Sequence, residues 1–128
     1  MSTPGPLPEP LVERIAQRFR AMGEPMRIRI LDSLRDGPAT AQELTARLGT
    51  SPQNISKHLG VLRAAGLVRR ERDGAAVLHE IADPTVLSIC EQVCGELTRE
   101  VRELGRLLEP RADTAACRGR DRGPMGPG

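Results

Sequence analysis

Residues 40–68 of the chain read TAQELTARLGTSPQNISKHLGVLRAAGLV, and this stretch decides the fold. Thr40 and Glu43 have the spacing of a capping box, in which each side chain accepts a hydrogen bond from the other residue's backbone amide. Gly49 suits the left-handed conformation that commonly ends a helix. Ser51 then fits the N-cap of a second helix. The sequence therefore predicts two helices joined by a short turn, which is a helix-turn-helix.

The second of these helices, which begins at Pro52, has an apolar face and a polar face. The apolar residues that we expect to face the core are Ile55, Leu59 and Leu62. Its polar face consists of the capping Ser51 and of the polar side chains of the first two turns, Gln53, Asn54, Ser56, Lys57 and His58. Gln and Asn bind the edge of adenine, and Lys binds guanine or phosphate. We expect this face to contact the major groove of DNA; the alternative is an ordinary solvated helix face.

A basic β-hairpin, the wing, is predicted directly after this helix, with strands near residues 67–72 and 75–81. Asp73 and Gly74 between two β-compatible runs indicate a type I′ turn, which needs positive φ at both central residues. Residues 51–72 contain five Lys and Arg residues and one Glu, a surplus that favours phosphate. The arginines that we expect to contact DNA are Arg69, Arg70 and Arg72. The alternative is an edge strand that its charges keep soluble.

Residues 44–81 resemble the ArsR/SmtB family of winged-helix repressors, and residues 11–108 resemble it more loosely. The segments that carry the resemblance are residues 51–59, residues 62–68 and the wing at residues 69–81. Residues 22–31, which read MGEPMRIRIL, are similar to that family's entry into its second helix. The resemblance implies a homodimeric repressor that an inducer releases from its operator. It does not identify the inducer.

The chain of 128 residues has the length of one domain. We expect a folded domain over residues 10–109, between a disordered arm at residues 1–9 and a disordered tail at residues 110–128, because both ends are poor in core-forming residues. Phe19 is the only aromatic residue, which argues against binding of single strands by base stacking. The predicted fold is mainly α with a small β-hairpin, a winged helix-turn-helix.

No signal for secretion, membrane insertion or catalysis is found in the sequence. The N-terminus lacks the pattern of a signal peptide, and no apolar run has membrane-spanning length. Three cysteines without a secretion signal favour reduced thiols in a cytoplasm. His58 and His79 form no catalytic set with the cysteines, and no glycine-rich phosphate loop is present. We expect a cytoplasmic protein that is not an enzyme and has no membrane partner.

Helices with apolar stripes are predicted on both sides of the helix-turn-helix. The first begins at Pro10, with a stripe formed by Leu11, Ile15, Phe19 and Met22. The next begins at Pro25, and its inward residues are predicted to be Ile28, Leu31 and Leu34. The last runs from Asp83-Pro84 to Pro110, and its apolar seam is Val86, Cys90, Val93, Leu97, Val101, Leu104 and Leu108.

That last seam has the three- and four-residue steps of a coiled coil. One winged helix cannot cover so long an apolar seam, so we expect a homodimer through the terminal helices. Two recognition helices would then meet an inverted repeat in double-stranded DNA. The alternative is that the seam packs along its own domain.

Cys90 and Cys94 are four residues apart in the last predicted helix, so their Cβ atoms should lie about 5–6 Å apart. A disulfide prefers about 3.8 Å, whereas two thiolates around one soft ion fit this spacing more easily. Cys117 in the tail could supply a third sulfur. We predict a thiol-based inducer site for As(III), Sb(III), Hg(II), Pb(II) or Cd(II). The alternatives are redox or persulfide sensing, and no sensory role.

The chain departs from its family's known metal sites. The family's thiolate site is a Cys-x-Cys pattern in the first helix of the helix-turn-helix, and residues 41–48 contain no cysteine. The family's zinc site on the last helix uses Asp and His, and no His follows His79. The inducer class therefore cannot be transferred from the family. An alternative function is a protein-interaction module that retains the winged helix.

Overall fold

The computed structural model describes residues 5–108. Their helices and strands are α1 (Glu9–Met22), α2 (Pro25–Ser33), β1 (Ala39–Thr40), α3 (Ala41–Leu48), α4 (Pro52–Ala64), β2 (Val68–Asp73), β3 (Ala76–Ile81) and α5 (Thr85–Leu108). This order confirms the predicted winged helix-turn-helix. The chain divides into two compact units, one ending at Pro84 and the other beginning at Thr85. The predicted tail and residues 1–4 of the predicted arm lie outside the described residues.

The helix-turn-helix is fixed by the caps that the sequence predicts. Thr40 Oγ1 accepts a hydrogen bond from the backbone amide of Glu43 at 3.0 Å, and Glu43 Oε1 accepts one from the amide of Thr40 at 2.9 Å. Gly49 ends α3 with φ of +62°. Ser51 Oγ accepts from the amide of Asn54 at 3.1 Å. Because the first amides of a helix have no partner within it, these caps determine where α3 and α4 begin.

The core of the first unit is aliphatic. Its fully buried side chains are Ile30, Leu31, Leu34, Leu44, Ile55, Leu59, Leu62, Leu67 and Val68. The prediction that Ile28 faces inward is wrong, because this side chain is exposed and Ile30 is buried instead. At 3.6 residues per turn, Ile30, Leu31 and Leu34 lie within about 100° of one another around α2, and Ile28 lies outside that arc.

The strands form an antiparallel sheet of order β1-β3-β2. The short strand β1 was not predicted, because two residues are too few to show a period. The hairpin pairs Asp73 with Ala76, so Gly74 and Ala75 are the central residues of the turn. Of these two turn residues, only Gly74 has positive φ, at +67°. The predicted type I′ turn is therefore wrong; one positive φ at the first central position fits a type II′ turn.

Two helices, taken separately, expose apolar stripes. The exposed apolar side chains of α1 are Leu11, Val12, Ile15 and Phe19, whereas Met22 at its end is buried. Those of α5 are Val93, Leu97, Val101, Leu104 and Leu107. Most members of both stripes were predicted from the sequence. The exceptions are the exposed Val12 and Leu107, which were not predicted, and Val86, which belongs to the predicted seam but is buried. Within residues 5–108, none of the helices has the length and apolar character needed to cross a membrane.

Candidate DNA-binding surface

The outer face of α4 is polar and accessible. Gln53, Ser56 and Lys57 are exposed in its first two turns, while Ile55 and Leu59 bury the opposite side in the core. These three side chains provide an amide, a hydroxyl and an ammonium group, which suit base edges and phosphates. We call them the α4 outer face. A helix that is anchored on one side and polar on the other can enter a major groove without unfolding.

Ser51 and Asn54, two further predicted DNA contacts, also hold the start of α4. Asn54 is half-buried, and its Nδ2 donates a hydrogen bond to Thr50 Oγ1 at 3.0 Å. Ser51 is exposed, but its Oγ accepts the capping bond from the amide of Asn54. The Ser51 hydroxyl proton is not used by that bond, so the side chain keeps one donor for a phosphate oxygen.

His58 does not lie on the outer face, and its predicted placement there is wrong. The side chain is buried, with 5% of the residue exposed. Its Nδ1 lies 3.1 Å from Arg27 Nη1, and its Nε2 lies 3.9 Å from Glu24 Oε1. Around the helix, position 58 is close to Leu62, a core residue, and far from Gln53. The polarity of the imidazole favoured an exposed position, but the position of His58 on the core side of α4 determines that it is buried.

The pKa of His58 is lowered from its ordinary value of 6.5. Burial is the largest cause, because it disfavours the charged imidazolium. Glu24 opposes this shift, while Arg27 and Lys57 add to it by repulsion. His58 is therefore a neutral ring in the protein interior, where it contacts Arg27 of α2 and Glu24, the N-cap of α2.

The three arginines of the wing have different surroundings, although all are exposed. Arg69 is opposite Glu80 in the register of the hairpin, and its Nε donates to Glu80 Oε2 at 2.8 Å. Arg70 and Arg72 lie on the other face of the hairpin, because successive side chains of a strand point to opposite faces. The described part of the chain places no carboxylate within ion-pair distance of either.

His79 lies at the base of the wing, opposite Arg70. It is buried, with 6% exposed. Burial is the main cause that lowers its pKa from 6.5, and Arg63 and Arg70 lower it further. Its Nδ1 has no hydrogen-bond partner among the described residues.

Two arginines that the sequence analysis did not single out connect this surface to α1. Arg18 Nε donates to the carbonyl oxygen of Ala65, the C-cap of α4, at 2.9 Å. Its guanidinium also pairs with Asp83, after β3. Arg27 Nε donates to the carbonyl oxygen of Ala21 at 2.6 Å. The sequence does not distinguish either arginine from a surface arginine, because helical periodicity identifies apolar faces but not long-range hydrogen bonds.

The predicted thiolate site is only partly within the described residues. Cys90 and Cys94 lie one turn apart on α5 and are half-buried. The structure assigns Cys94, but not Cys90, to a disulfide bond, so the thiolate prediction concerns the reduced protein. Cys117 lies outside the described residues. No group of three His, Cys, Asp or Glu side chains within residues 5–108 could hold a metal, so a three-sulfur site would need a ligand from beyond this range.

Comparison with known proteins agrees with this geometry. A family model described as a helix-turn-helix domain matches residues 22–71. The HTH-type transcriptional regulator Rv0081 of Mycobacterium tuberculosis is 35% identical over 102 residues, which are 79% of this chain and 90% of that protein. The regulator CmtR of the same organism is 38% identical over 87 residues, 68% of this chain and 70% of CmtR.

Solved structures show the same fold. The crystal structure of Rv0081 matches with a TM-score of 0.63, and the match covers 73% of this chain and 97% of that one. The homodimeric winged helix-turn-helix domain of Mb0332 from Mycobacterium bovis matches at 24% identity with a TM-score of 0.64, over 75% of this chain and 91% of that one. The chain belongs to the ArsR/SmtB family of winged-helix, DNA-binding transcriptional regulators.

Proposed function

We propose that this regulator is a homodimeric repressor that binds an inverted-repeat operator and leaves it when an inducer binds. The observation that carries the proposal is the continuity of two surfaces along the chain. The α4 outer face supplies groups for base edges, and the wing that follows supplies Arg70 and Arg72 for phosphates. Arginine contacts with phosphates release counterions and so increase affinity, and hydrogen bonds to base edges in the major groove provide specificity.

The exposed stripes of α1 and α5 support a dimer. Phe19 on α1 is 53% exposed, and Leu97 and Leu104 on α5 are 51% and 54% exposed. Apolar residues repeated along one helical face are typical of surfaces that pack against another chain. Mb0332, which has this fold, is homodimeric. Two coupled recognition helices would bind far more tightly than one, because the second contact is then intramolecular.

An experiment that tests the proposal starts from random double-stranded DNA. Repeated selection by the purified protein should enrich an inverted repeat, and fluorescence anisotropy should then give its affinity. Gln53→Ala should relax sequence preference, while Lys57→Ala should weaken binding to all sequences about equally. Transcription in vitro from a promoter that contains the selected repeat should decrease when the protein is added. No enrichment, or increased transcription, would contradict the proposal.

The inducer is proposed to act through the thiols of α5. Two half-buried sulfurs on one face of the helix that carries the longest exposed stripe could link ion binding to the dimer surface. Reduced protein should release its operator on addition of As(III), Cd(II), Pb(II) or Hg(II), with thiolate-to-metal absorption that is lost in Cys90→Ser and Cys94→Ser. Release by oxidants alone would instead support redox sensing.

A further inference from the structure

A chain of hydrogen bonds joins the end of α1 to the middle of α4 through one side chain, Arg27 of α2. Its Nε donates to the carbonyl oxygen of Ala21 at 2.6 Å, and its Nη2 donates to that of Arg20 at 3.4 Å. Its Nη1 lies 3.1 Å from Nδ1 of His58. The last carbonyl groups of a helix have no partner within it, so a guanidinium placed there satisfies them. One planar group thus contacts both helices.

The contact with Arg27 defines the protonation state of His58. A guanidinium only donates, so Nδ1 must accept, and the proton of the neutral ring is on Nε2. That nitrogen faces Glu24 Oε1 at 3.9 Å. The same carboxylate oxygen accepts from the amides of Met26 and Arg27, at 2.7 and 3.1 Å, as the N-cap of α2. The ring therefore lies between a fixed cation and a fixed carboxylate.

We propose that Arg27 and His58 are positioning residues that hold α4 in its DNA-binding orientation, and that only neutral His58 maintains this link. The inference rests on the proposed function, because it assumes that the α4 outer face reads DNA. His58 is on the core side of α4, and Lys57, the next residue, is on the outer side. A rotation of α4 that breaks the link would therefore move Lys57 and Gln53 within the groove.

The link also connects α4 to a helix with a proposed role in assembly. α1 exposes an apolar stripe, and the Arg20 and Ala21 carbonyls that Arg27 binds belong to its last turn. A shift of α1 in a dimer would therefore act on α4 through a rigid contact. Such contacts between packed elements transmit small displacements, because well-packed interiors deform little.

Protonation of His58 would break the link. A proton on Nδ1 removes the acceptor and places two cations, the ring and Arg27, in contact. The charged groups that face the ring are Glu24 and Arg27 at the start of α2, and Lys57 on α4 itself. Burial and the two cations oppose protonation more than Glu24 favours it, so the ring titrates below pH 6.5. We expect DNA affinity to fall as the pH decreases through that range.

The test measures affinity for the selected operator by anisotropy, between about pH 7.5 and pH 5.5. Once His58 is protonated the wild type should bind roughly tenfold more weakly, since hydrogen bonds to charged groups contribute about that much, so the series is extended to lower pH until the affinity is constant. His58→Asn keeps an acceptor near the position of Nδ1 and cannot titrate, so it should bind with little pH dependence. His58→Leu, without an acceptor, and Arg27→Gln should bind weakly at both ends. Arg29→Gln, an exposed arginine on the same helix, is the matched control.

A second readout does not require DNA. The chain has two histidines, so the imidazole signals that disappear in His58→Asn are assigned at once. Long-range proton–nitrogen NMR spectra of the wild type should show the Nε2–H form of His58. In Arg27→Gln the pKa of His58 should rise, because a neighbouring positive charge is removed. A role in packing alone would not fix the tautomer of His58.

The two proposals fail in different ways. Wild-type protein that binds no DNA at any pH would contradict the proposed function, and the tautomer and pKa of His58 would still decide whether the link exists. Protein that binds DNA with the same pH profile in wild type and His58→Asn would overturn the link. So would a neutral His58 that carries its proton on Nδ1.

Discussion

Arg69 and Glu80 form an ion pair across the two strands of the wing, with 2.8 Å between Arg69 Nε and Glu80 Oε2. Side chains of opposite residues in a hairpin share a face, so this pair occupies one face and Arg70 and Arg72 occupy the other. The positive charge that remains for a phosphate is therefore concentrated at Arg70 and Arg72. This asymmetry is invisible in the sequence, where the three arginines are nearly consecutive.

The wing arginines should differ in their effect on DNA binding. Arg70→Ala and Arg72→Ala should each weaken binding to all sequences, and each should reduce the slope of log affinity against log salt by about one. Arg69→Ala, the matched control, should change the slope less, because Glu80 already compensates its charge. Anisotropy titrations at several salt concentrations measure both quantities. Equal slopes for all three variants would contradict the assignment of faces.

Gly66 and Gly74 provide a matched pair of substitutions. Both have positive φ, +80° and +67°, so alanine at either position should lower the free energy of unfolding by about 1 kcal/mol. A Cβ at Gly66 would also lie 2.9 Å from Arg18 Nη2, whereas one at Gly74 would meet open space. Gly66→Ala should therefore destabilise more, because the Arg18 guanidinium, which bonds Ala65 and Asp83, must shift away from the new methyl group.

The excess effect of Gly66→Ala can be assigned by a double-mutant cycle in urea. When Arg18→Ala is already present, Gly66→Ala should have only the backbone effect, so the two changes should not be additive. Additive free energies would show that Gly66 and Arg18 are independent. Arg14→Ala, an exposed arginine on the same helix, is the control for the loss of an α1 arginine.

Acid should destabilise the protein before its carboxylates titrate. His58 and His79 both have a pKa lowered below 6.5 by burial, so the unfolded chain binds more protons than the folded chain in that range. Their contribution to stability is complete above pH 6.5 and is lost as the pH falls through their folded values. Urea unfolding followed by circular dichroism at about pH 7.5 and pH 5.5 should show this loss. Stability that is constant or increases on acidification would contradict the burial of both rings as neutral groups.

The stripe on α5 should support self-association. Leu97→Glu places a charge in the middle of the exposed stripe and should shift the protein from dimer to monomer, as measured by sedimentation equilibrium. Glu100→Gln, an exposed change on the same helix, should leave the distribution unchanged. A wild type that sediments as a monomer at the concentrations of the binding assays would contradict the proposed dimer.

The sequence predicted the parts of the fold that depend on local chemistry. The capping box of Thr40 and Glu43, the left-handed Gly49 and the N-cap Ser51 each require only neighbouring residues, and all are present. Helical periodicity likewise identified the apolar stripes of α1 and α5, because it depends only on spacing.

Features that depend on distant contacts were missed or misplaced. The polarity of His58 favoured an exposed position, but a half-buried partner, Arg27, lies 31 residues earlier in the chain. Arg18 reaches Ala65 across 47 residues. The turn of the wing shifted by one residue because strand register, not the Asp73-Gly74 dipeptide, set its centre. Long-range partners are set by the packed structure, and a single sequence has no local signal for them.

The most direct test of the central claim is a hydroxyl-radical footprint of the protein on its selected operator. Two recognition helices related by a two-fold axis should protect two symmetric segments, with major-groove centres about 10 base pairs apart or a multiple of that distance. Lys57→Ala together with Arg70→Ala should remove both segments at a salt concentration at which Arg69→Ala retains them. A single asymmetric protected segment, or a footprint unaffected by the double substitution, would contradict DNA binding by paired α4 outer faces and wings.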